Sequence, residues 1–298
     1  MRALITGARG FVGSWLSAHL AATGDDVVAI DHEVDVTNTE AVRRVIVSAG
    51  PEVVFHLAAR THVGRSWDDP TEVLRVNAIG TVNVLEAARA CTLAPRVIVT
   101  SSAEVYGAVP EEKLPVSEEA PLAPVTPYAA SKVAAEFLGV QEFLAHGLEV
   151  IRVRPFNHIG PGQSSAFVVA ALAQRVVDAR RRGASSISVG NLTPRRDLTD
   201  VRDVVRAYRL LAERGAAGDV YNVCSGRDIA IEEVADRLQR LAGTHLRLEL
   251  DPSLARPVDV PVVRGDPGKL RAVTGWSPVI DLDRTLRDVL DQWNEQAA

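Results

Sequence analysis

The chain has 298 residues, of which 47% are hydrophobic and 24% are charged. This composition excludes a disordered or fibrous protein, and at about 150 residues per domain the length suggests two lobes. The 33 basic and 38 acidic residues leave a net charge of −5, so we expect the protein to bind neither nucleic acid nor a membrane surface.

The cysteine content and the apolar pattern indicate the compartment. Cys91 and Cys224 are far apart in sequence and belong to no Cys-x-x-Cys pair, which argues against a disulfide framework and for a reducing cytoplasm. No run of about 18 apolar residues marks a membrane span, and the first residues are typical of a strand and not of a signal peptide. No His, Asp or Glu cluster has metal-ligand spacing, so we expect no metal.

The first half of the chain alternates short apolar blocks with longer amphipathic segments. The blocks, rich in Val and Ile, predict strands buried on both faces at 3–5, 27–30, 53–55, 97–99 and 150–151. The segments between them predict helices at 13–23, 38–49, 71–92 and 128–146. The order predicts an α/β fold, with a Rossmann-type, doubly wound parallel sheet.

After Pro155 the alternation changes. Helical patterns at 166–182, 200–214 and 230–242 are separated by loops, a strand at 220–223 and a Pro-rich stretch. We expect a smaller C-terminal substrate-binding domain that is interleaved with the first. The predicted dinucleotide-binding domain spans 1–154, with 198–224 returning to it, and the nucleotide-sugar-binding domain comprises 155–197 and 225–298.

A glycine-rich turn follows the first strand and opens the first helix. Gly7, Gly10 and Gly13 suit a tight turn against which a pyrophosphate binds, and the helix N-terminus directs its free N–H groups to the phosphates. Asp31 ends the second strand, where a carboxylate accepts the ribose hydroxyls of NAD and repels a 2′-phosphate. NAD(H) is therefore favoured, although Arg9 and His32 leave NADP(H) open.

Three residues carry a candidate reaction centre. Tyr128 and Lys132 are four positions apart and lie on one face of a predicted helix. We expect the ammonium, together with the positively charged nicotinamide of a bound dinucleotide, to lower the pKa of the phenol towards neutrality, which would make Tyr128 an acid–base group. Ser102 follows the fourth strand, at the sheet edge where ligands of such folds bind.

These motifs resemble those of the extended short-chain dehydrogenase/reductases that act on nucleotide sugars. The resemblance covers residues 1 to about 290 and rests on the Gly-rich turn, His56-Leu57-Ala58-Ala59, the segment 101–107, Tyr128-x-x-x-Lys132 and 154–157. It implies a catalytic set of Ser102, Tyr128, Lys132 and Glu104. It also implies that the cofactor contacts Gly7, Gly10, Phe11, Val12, Gly13, Asp31, Asp35, Val36, Leu57, Ala58, Ala59, Tyr128, Lys132 and Pro155.

Within that family, the second half is most similar to reductases of GDP-linked 4-keto-6-deoxy sugars. Segments 156–163, 189–192, 196–203 and 218–226 and the pair Arg256-Pro257 carry this similarity. It implies that a GDP-linked nucleotide sugar binds at Ser102, Ala103, Glu104, Asn157, Val189, Asn191, Arg196 and Arg256. Planar guanidinium groups suit the diphosphate of such a ligand.

The reaction itself remains open between three chemistries that share the same Tyr, Lys and dinucleotide. Related 4,6-dehydratases commonly carry Asp or Ser and then Glu after the Ser102 position, whereas this chain has Ala103 and then Glu104. We therefore rank reduction of a C4 ketone above dehydration and above 4-epimerisation. A non-catalytic dinucleotide-binding protein is the outside alternative.

The predicted helices 71–92 and 128–146 bear apolar residues on more than one face, such as Val82 and Phe137. Members of the family pair through these helices, so the resemblance implies a homodimer. Packing within one chain also explains the pattern.

Overall fold

The largest of the three sheets in the described part of the chain has six strands. A computed structural model describes residues 1–254 and 260–296. The six strands of this sheet are β1 (Arg2–Thr6), β2 (Asp26–Ile30), β3 (Val53–His56), β4 (Arg96–Thr100), β5 (Val150–Pro155) and β9 (Val220–Val223). They lie in the order β2-β1-β3-β4-β5-β9, with every pair parallel. All five strands predicted in the first half are confirmed, as is the α/β class.

Helices cover both faces of this sheet because its strands are apolar on both sides. They are α1 (Phe11–Ala22), α2 (Thr39–Ala49), α3 (Pro70–Leu74), α4 (Gly80–Arg89), α5 (Pro127–His146), α7 (Val201–Arg214) and α9 (Gly268–Thr274). One core joins β1, β3, β4 and β5 to α1 and α7, and another packs α2, α4 and α5 on the opposite face. The single helix predicted at 71–92 is interrupted by a π-helical turn (Arg75–Ile79) between α3 and α4.

The second half of the chain builds smaller sheets and a separate core. Strand β8 (Arg195–Asp200) pairs with β6 (Asn157–Ile159), β10 (Asp228–Ala230) and β12 (Val262–Val263), and β7 (Ser186–Val189) pairs with β11 (Arg247–Leu250). These strands pack against three amphipathic helices, α6 (Val168–Arg182), α8 (Ile231–Leu241) and α10 (Leu282–Gln296).

The chain passes more than once between the large sheet and the smaller sheets. It leaves the large sheet after β5, and it returns through α7, which packs on the large sheet, to β9, which pairs with β5. The bounds of the two domains stay a prediction. Within the described ranges, none of the helices combines the length and the apolar character that a bilayer-spanning segment needs.

Candidate active site

A cavity of about 1120 Å³ lies at the carboxyl ends of the central strands and extends to the smaller sheets. Crevices at this edge are where open α/β sheets bind their ligands. Nearly all of the predicted site residues line it. The exceptions are Val189, which is buried in the core of the second half, and Arg256, which lies outside the described residues.

The glycine-rich turn is shaped for close approach of another backbone. Gly7 has φ +72°, and a Cβ on it would lie 2.9 Å from the Ala58 nitrogen. A Cβ on Gly13 would lie 2.1 Å from the Gly7 oxygen, so the helix packs on the turn only with glycine there. Gly10 caps α1 without a side chain, which leaves the first N–H groups of α1 facing the cavity. This cradle fits a pyrophosphate.

Asp31 lies at the end of β2, on the rim of the same cavity. Its Oδ2 accepts the backbone N–H of Arg9 at 2.7 Å, and its Oδ1 accepts that of His32 at 2.9 Å. The carboxylate therefore joins the glycine-rich turn to the end of β2. Asp35 and Val36 line the cavity beside it.

Beneath the turn, a buried histidine connects three elements. The Nδ1 of His56 lies 2.8 Å from Thr6 Oγ1, and its Nε2 lies 3.1 Å from Thr81 Oγ1. Burial, followed by the charge of Lys132, lowers the pKa of His56 to about 3, so the ring is neutral. Thr6 Oγ1 in turn accepts the N–H of Ala58 at 3.1 Å. The family motif at 56–59 thus fixes backbone that lines the cavity.

The reaction centre is formed by the end of β4 and the first turns of α5. Tyr128 and Lys132 are both buried, and Ser102 hydrogen-bonds to the phenol. The Lys132 Nζ donates to the Thr100 carbonyl at 2.8 Å and lies 5.9 Å from the centroid of the Tyr128 ring. The structure therefore brings the three predicted residues together.

The protein's own groups do not lower the pKa of Tyr128, and the part of the prediction that depends on a bound nicotinamide stays a prediction. Burial raises that pKa to about 12, and the hydrogen bond from Ser102 only partly opposes the rise. Burial also lowers the pKa of Lys132 to about 8, against the opposing charge of Glu136. Removal from water outweighs the attraction that the sequence suggested, because the ammonium is directed at a carbonyl oxygen.

Side-chain hydroxyls at the end of β4 provide a test of whether a dinucleotide fits here. Ser101 Oγ is buried without a hydrogen-bond partner and lines the cavity, while the buried hydroxyls of Thr100 and of Tyr208, on α7, bond to each other beside it. Buried polar groups are nearly always paired, so an orphaned group is a sign of a missing ligand or water. Their position beside Tyr128 and Lys132 fits the polar nicotinamide end of a dinucleotide whose pyrophosphate binds at the glycine-rich turn.

The opposite wall of the cavity comes from the smaller sheets. Asn157 on β6 is exposed, and its neighbour His158 stacks on Phe11 with ring centroids 5.9 Å apart. The guanidinium of Arg196 on β8 donates to the carbonyls of Arg195 and Val260 at 2.9 and 2.8 Å. Asn191 is exposed at the end of β7. Within 1–254 and 260–296, no group of His, Cys, Asp and Glu could hold a metal.

Residues that the sequence reasoning missed hold α5 in place. Asn77, in the π-helical turn, accepts the Arg60 N–H at 2.7 Å and donates to the Ser131 hydroxyl at 2.8 Å. Ser131 donates to the Tyr128 carbonyl at 2.7 Å. Asn77 is a buried polar residue in a helical segment that otherwise reads as amphipathic. A polar residue on the inner face of that pattern is the signal that could have identified it.

Comparisons with known proteins agree with this geometry. The family described as GDP-mannose 4,6 dehydratase matches residues 31–289. GDP-6-deoxy-D-mannose reductase of Pseudomonas aeruginosa is 38% identical over 298 residues, which cover 99% of this chain and 98% of the reductase.

Solved structures give the same result. RMD from Pseudomonas aeruginosa, complexed with NADPH, superposes with a TM-score of 0.92 at 37% identity, covering 99% of this chain and 100% of that one. UDP-glucose 4-epimerase of Thermus thermophilus, in complex with NAD, gives a TM-score of 0.89 at 31% identity, with 98% and 99% covered. The chain belongs to the GDP-mannose 4,6 dehydratase family, among the extended short-chain dehydrogenase/reductase enzymes of nucleotide sugars.

Proposed function

We propose that this enzyme uses a nicotinamide dinucleotide to reduce the C4 ketone of a GDP-linked 4-keto-6-deoxy sugar. The observation that carries the proposal is the hydrogen bond between the half-buried Ser102 and the buried Tyr128, next to the unpartnered hydroxyl of Ser101. The full-length similarity to a GDP-6-deoxy-D-mannose reductase supports this choice of substrate.

The proposed roles follow from the positions of the groups. The dinucleotide supplies a hydride for C4 when it is bound. Tyr128 donates its phenolic proton to the oxygen that gains charge, and Ser102 donates a hydrogen bond to the same oxygen. Lys132 keeps positive charge beside the phenol and stabilises the phenolate that forms when the proton leaves. On the opposite wall, Asn157 and Arg196 bind the diphosphate. The family resemblance assigns the same ligand to Arg256, which lies outside the described residues.

NAD(H) is the proposed cofactor, with NADP(H) as the alternative. Asp31 presents a carboxylate on the rim of the cavity, and a carboxylate there accepts the ribose hydroxyls and repels a 2′-phosphate. The related structures bind NADPH in one case and NAD in the other, so their similarity supports either dinucleotide.

The residue after Ser102 argues against dehydration. Ala103 is buried and lines the cavity, and it offers neither a carboxyl nor a hydroxyl to protonate a departing group. Glu104 is present in the same turn, where its N–H donates to Ser102 Oγ at 3.2 Å. A reduction needs no acid at position 103, because Tyr128 supplies the proton.

We further propose that the enzyme is a cytoplasmic homodimer. Its cysteines, Cys91 and Cys224, are free, as suits a reducing compartment. Apolar side chains are exposed along the packed helices α3 to α5, including Ile79 at 51% and Phe137 at 56%. Exposed apolar patches mark interfaces. Phe137→Glu should halve the mass measured by light scattering, whereas Leu93→Glu, at an exposed apolar residue just beyond α4, should leave it unchanged.

The activity is tested by mixing the purified enzyme with NADH or NADPH and freshly prepared GDP-4-keto-6-deoxymannose. The proposal predicts one cofactor oxidised for each sugar reduced. Parallel reactions contain UDP-glucose or GDP-mannose with NAD. Isomerisation of UDP-glucose without net cofactor change would make the chain an epimerase, and loss of water from GDP-mannose would make it a dehydratase.

A further inference from the structure

Behind Ser102 lies a buried hydrogen-bond network that none of the roles above includes. Its centre is the hydroxyl of Tyr106, which donates to Asn222 Oδ1 at 2.7 Å and accepts from the Arg154 guanidinium at 2.9 Å. The three side chains are all buried. The Arg154 guanidinium also lies 5.0 Å from the centroid of the Tyr106 ring. The hydroxyl is thus held by a strand on each side, β5 through Arg154 and β9 through Asn222.

Arg154 extends this network to the helix that bears Tyr128 and Lys132. It makes two parallel bonds of 2.8 Å to the carboxylate of Glu136. Such forked pairs fix direction as well as distance. Glu136 is fully buried on α5, one turn after Lys132 and two turns after Tyr128. The network therefore runs from α5 through Arg154 to Tyr106.

Tyr106 is connected to Ser102 by a short, stiff turn. Ser102 caps the single 3-10 turn Ala103–Tyr106 by accepting the Glu104 N–H. Gly107 ends the turn with φ +65°, and a Cβ there would lie 2.0 Å from the Ala123 oxygen. Only one turn of backbone separates Ser102 from the anchored phenol of Tyr106.

We propose that Tyr106 is a positioning residue that sets the place of Ser102 relative to Tyr128. Ser102 and Tyr128 have to reach the same substrate oxygen, yet they lie on different elements, a loop and a helix. The path from Tyr106 through Arg154 to Glu136 fixes the separation between those elements. Placement errors of about 1 Å are enough to slow catalysis markedly. This proposal rests on the proposed function, in which both hydroxyls bind the C4 oxygen.

The variant that tests it is Tyr106→Phe, which removes one hydroxyl and keeps the ring. Arg154 retains Glu136 and the Glu118 carbonyl as partners, so the buried charge stays paired. We expect kcat to fall about tenfold, with KM for the sugar and the Kd of NADH unchanged. The matched control is Tyr221→Phe, at another fully buried tyrosine whose hydroxyl accepts the Ala216 N–H at 3.0 Å outside the cavity. It should leave kcat unchanged.

A double-mutant cycle separates positioning from general packing. In a Ser102→Ala background, Tyr106→Phe should cost nothing further, because the group that it positions is already gone. The same tenfold loss in both backgrounds would overturn the proposal, and so would an unchanged kcat for Tyr106→Phe alone.

A structural measurement keeps this test independent of the proposed reaction. Crystal structures of the wild-type enzyme and of Tyr106→Phe should differ in the distance between Ser102 Oγ and the Tyr128 hydroxyl. An unchanged distance would overturn the positioning role whatever reaction the enzyme catalyses. A wild-type enzyme that does not reduce the keto sugar would overturn the proposed function and leave this structural comparison decisive for Tyr106.

Discussion

The two walls of the cleft are built differently. On the wall formed by the large sheet and α5, Tyr128 and Lys132 are buried, and so are Asn77 and Ser131, whose hydrogen bonds hold the first turns of α5. On the wall formed by the smaller sheets, Asn157 and Asn191 are exposed, and Arg196 is buried with its guanidinium bonded to backbone carbonyls of its own half. We infer from this difference that the two walls have different roles. The first wall holds reacting groups in place, and the second presents groups to a ligand.

The largest effect on kcat is expected from a substitution on the wall formed by the large sheet and α5. Tyr128→Phe removes the proposed proton donor but keeps the ring, so kcat should fall by about 10²- to 10⁴-fold, the usual contribution of a general acid. NADH should bind nearly as before, which fluorescence titration measures. Turnover close to that of the wild type would remove Tyr128 from the chemistry.

On the wall formed by the smaller sheets, a substitution should weaken the binding of GDP and change kcat much less. Arg196→Ala should weaken GDP binding about tenfold or more, since hydrogen bonds to charged groups each contribute about 1.5–3 kcal/mol. Calorimetry with GDP measures the change, and kcat at saturating sugar should fall much less. Arg195→Ala is the matched control, because Arg195 is exposed and pairs with Asp228. Equal losses in the two variants would contradict the proposed role of Arg196.

A third prediction concerns Asp31, on the rim of the cavity where the dinucleotide is proposed to bind. Asp31→Asn removes the charge that disfavours a 2′-phosphate, so the preference for NADH over NADPH should fall about tenfold, which corresponds to about 1.4 kcal/mol. The ratio of the two dissociation constants measures this preference. Glu33→Gln serves as control, because Glu33 is an acidic residue two positions from Asp31 that does not line the cavity and pairs with Arg9 at 3.4 Å. A ratio that moves equally in both variants would mean that general charge, and not Asp31, sets the preference.

Preorganisation should also have a cost in stability. Burial lowers the pKa of Lys132 to about 8, whereas an unfolded lysine titrates near 10.4. Between these values the unfolded chain binds more protons, so the wild-type protein gains stability as pH rises from about 8 to about 10. At neutral pH the buried ammonium costs about 3 kcal/mol by the same shift.

Lys132→Met removes that cost. Its Tm should therefore exceed that of the wild type at pH 7, by an amount that shrinks towards pH 10, while activity is lost. Scanning calorimetry across this pH range makes the comparison. A Tm difference that does not change with pH would show that the ammonium is not the source of the cost.

The backbone elements of the fold were easier to predict from the sequence than the surroundings of individual side chains. The β-strands and the glycine-rich turn were recognisable because buried parallel strands are continuously apolar and because glycines at fixed spacing suit one backbone geometry. The pair Tyr128 and Lys132 was recognisable because four residues form about one helical turn.

The tertiary environment of these groups could not be predicted from the sequence. The burial that raises the pKa of Tyr128 was not predicted, because it depends on the packing of α5 against the turn after Ser102, which spacing does not reveal. Val189 was assigned to the substrate although its side chain packs into a core. Asn77, Glu136 and Arg154 were missed because their partners come from elements that are distant in sequence.

In the proposed reaction, the dinucleotide transfers hydride to C4 of the sugar, and Tyr128 supplies the proton to the C4 oxygen. The most direct test is a reaction of GDP-4-keto-6-deoxymannose with NADH deuterated at the transferable position, followed by mass spectrometry and NMR of the sugar. We expect one deuterium at C4 for each NADH oxidised. A product without deuterium at C4, or a changed sugar with no NADH oxidised, would contradict it.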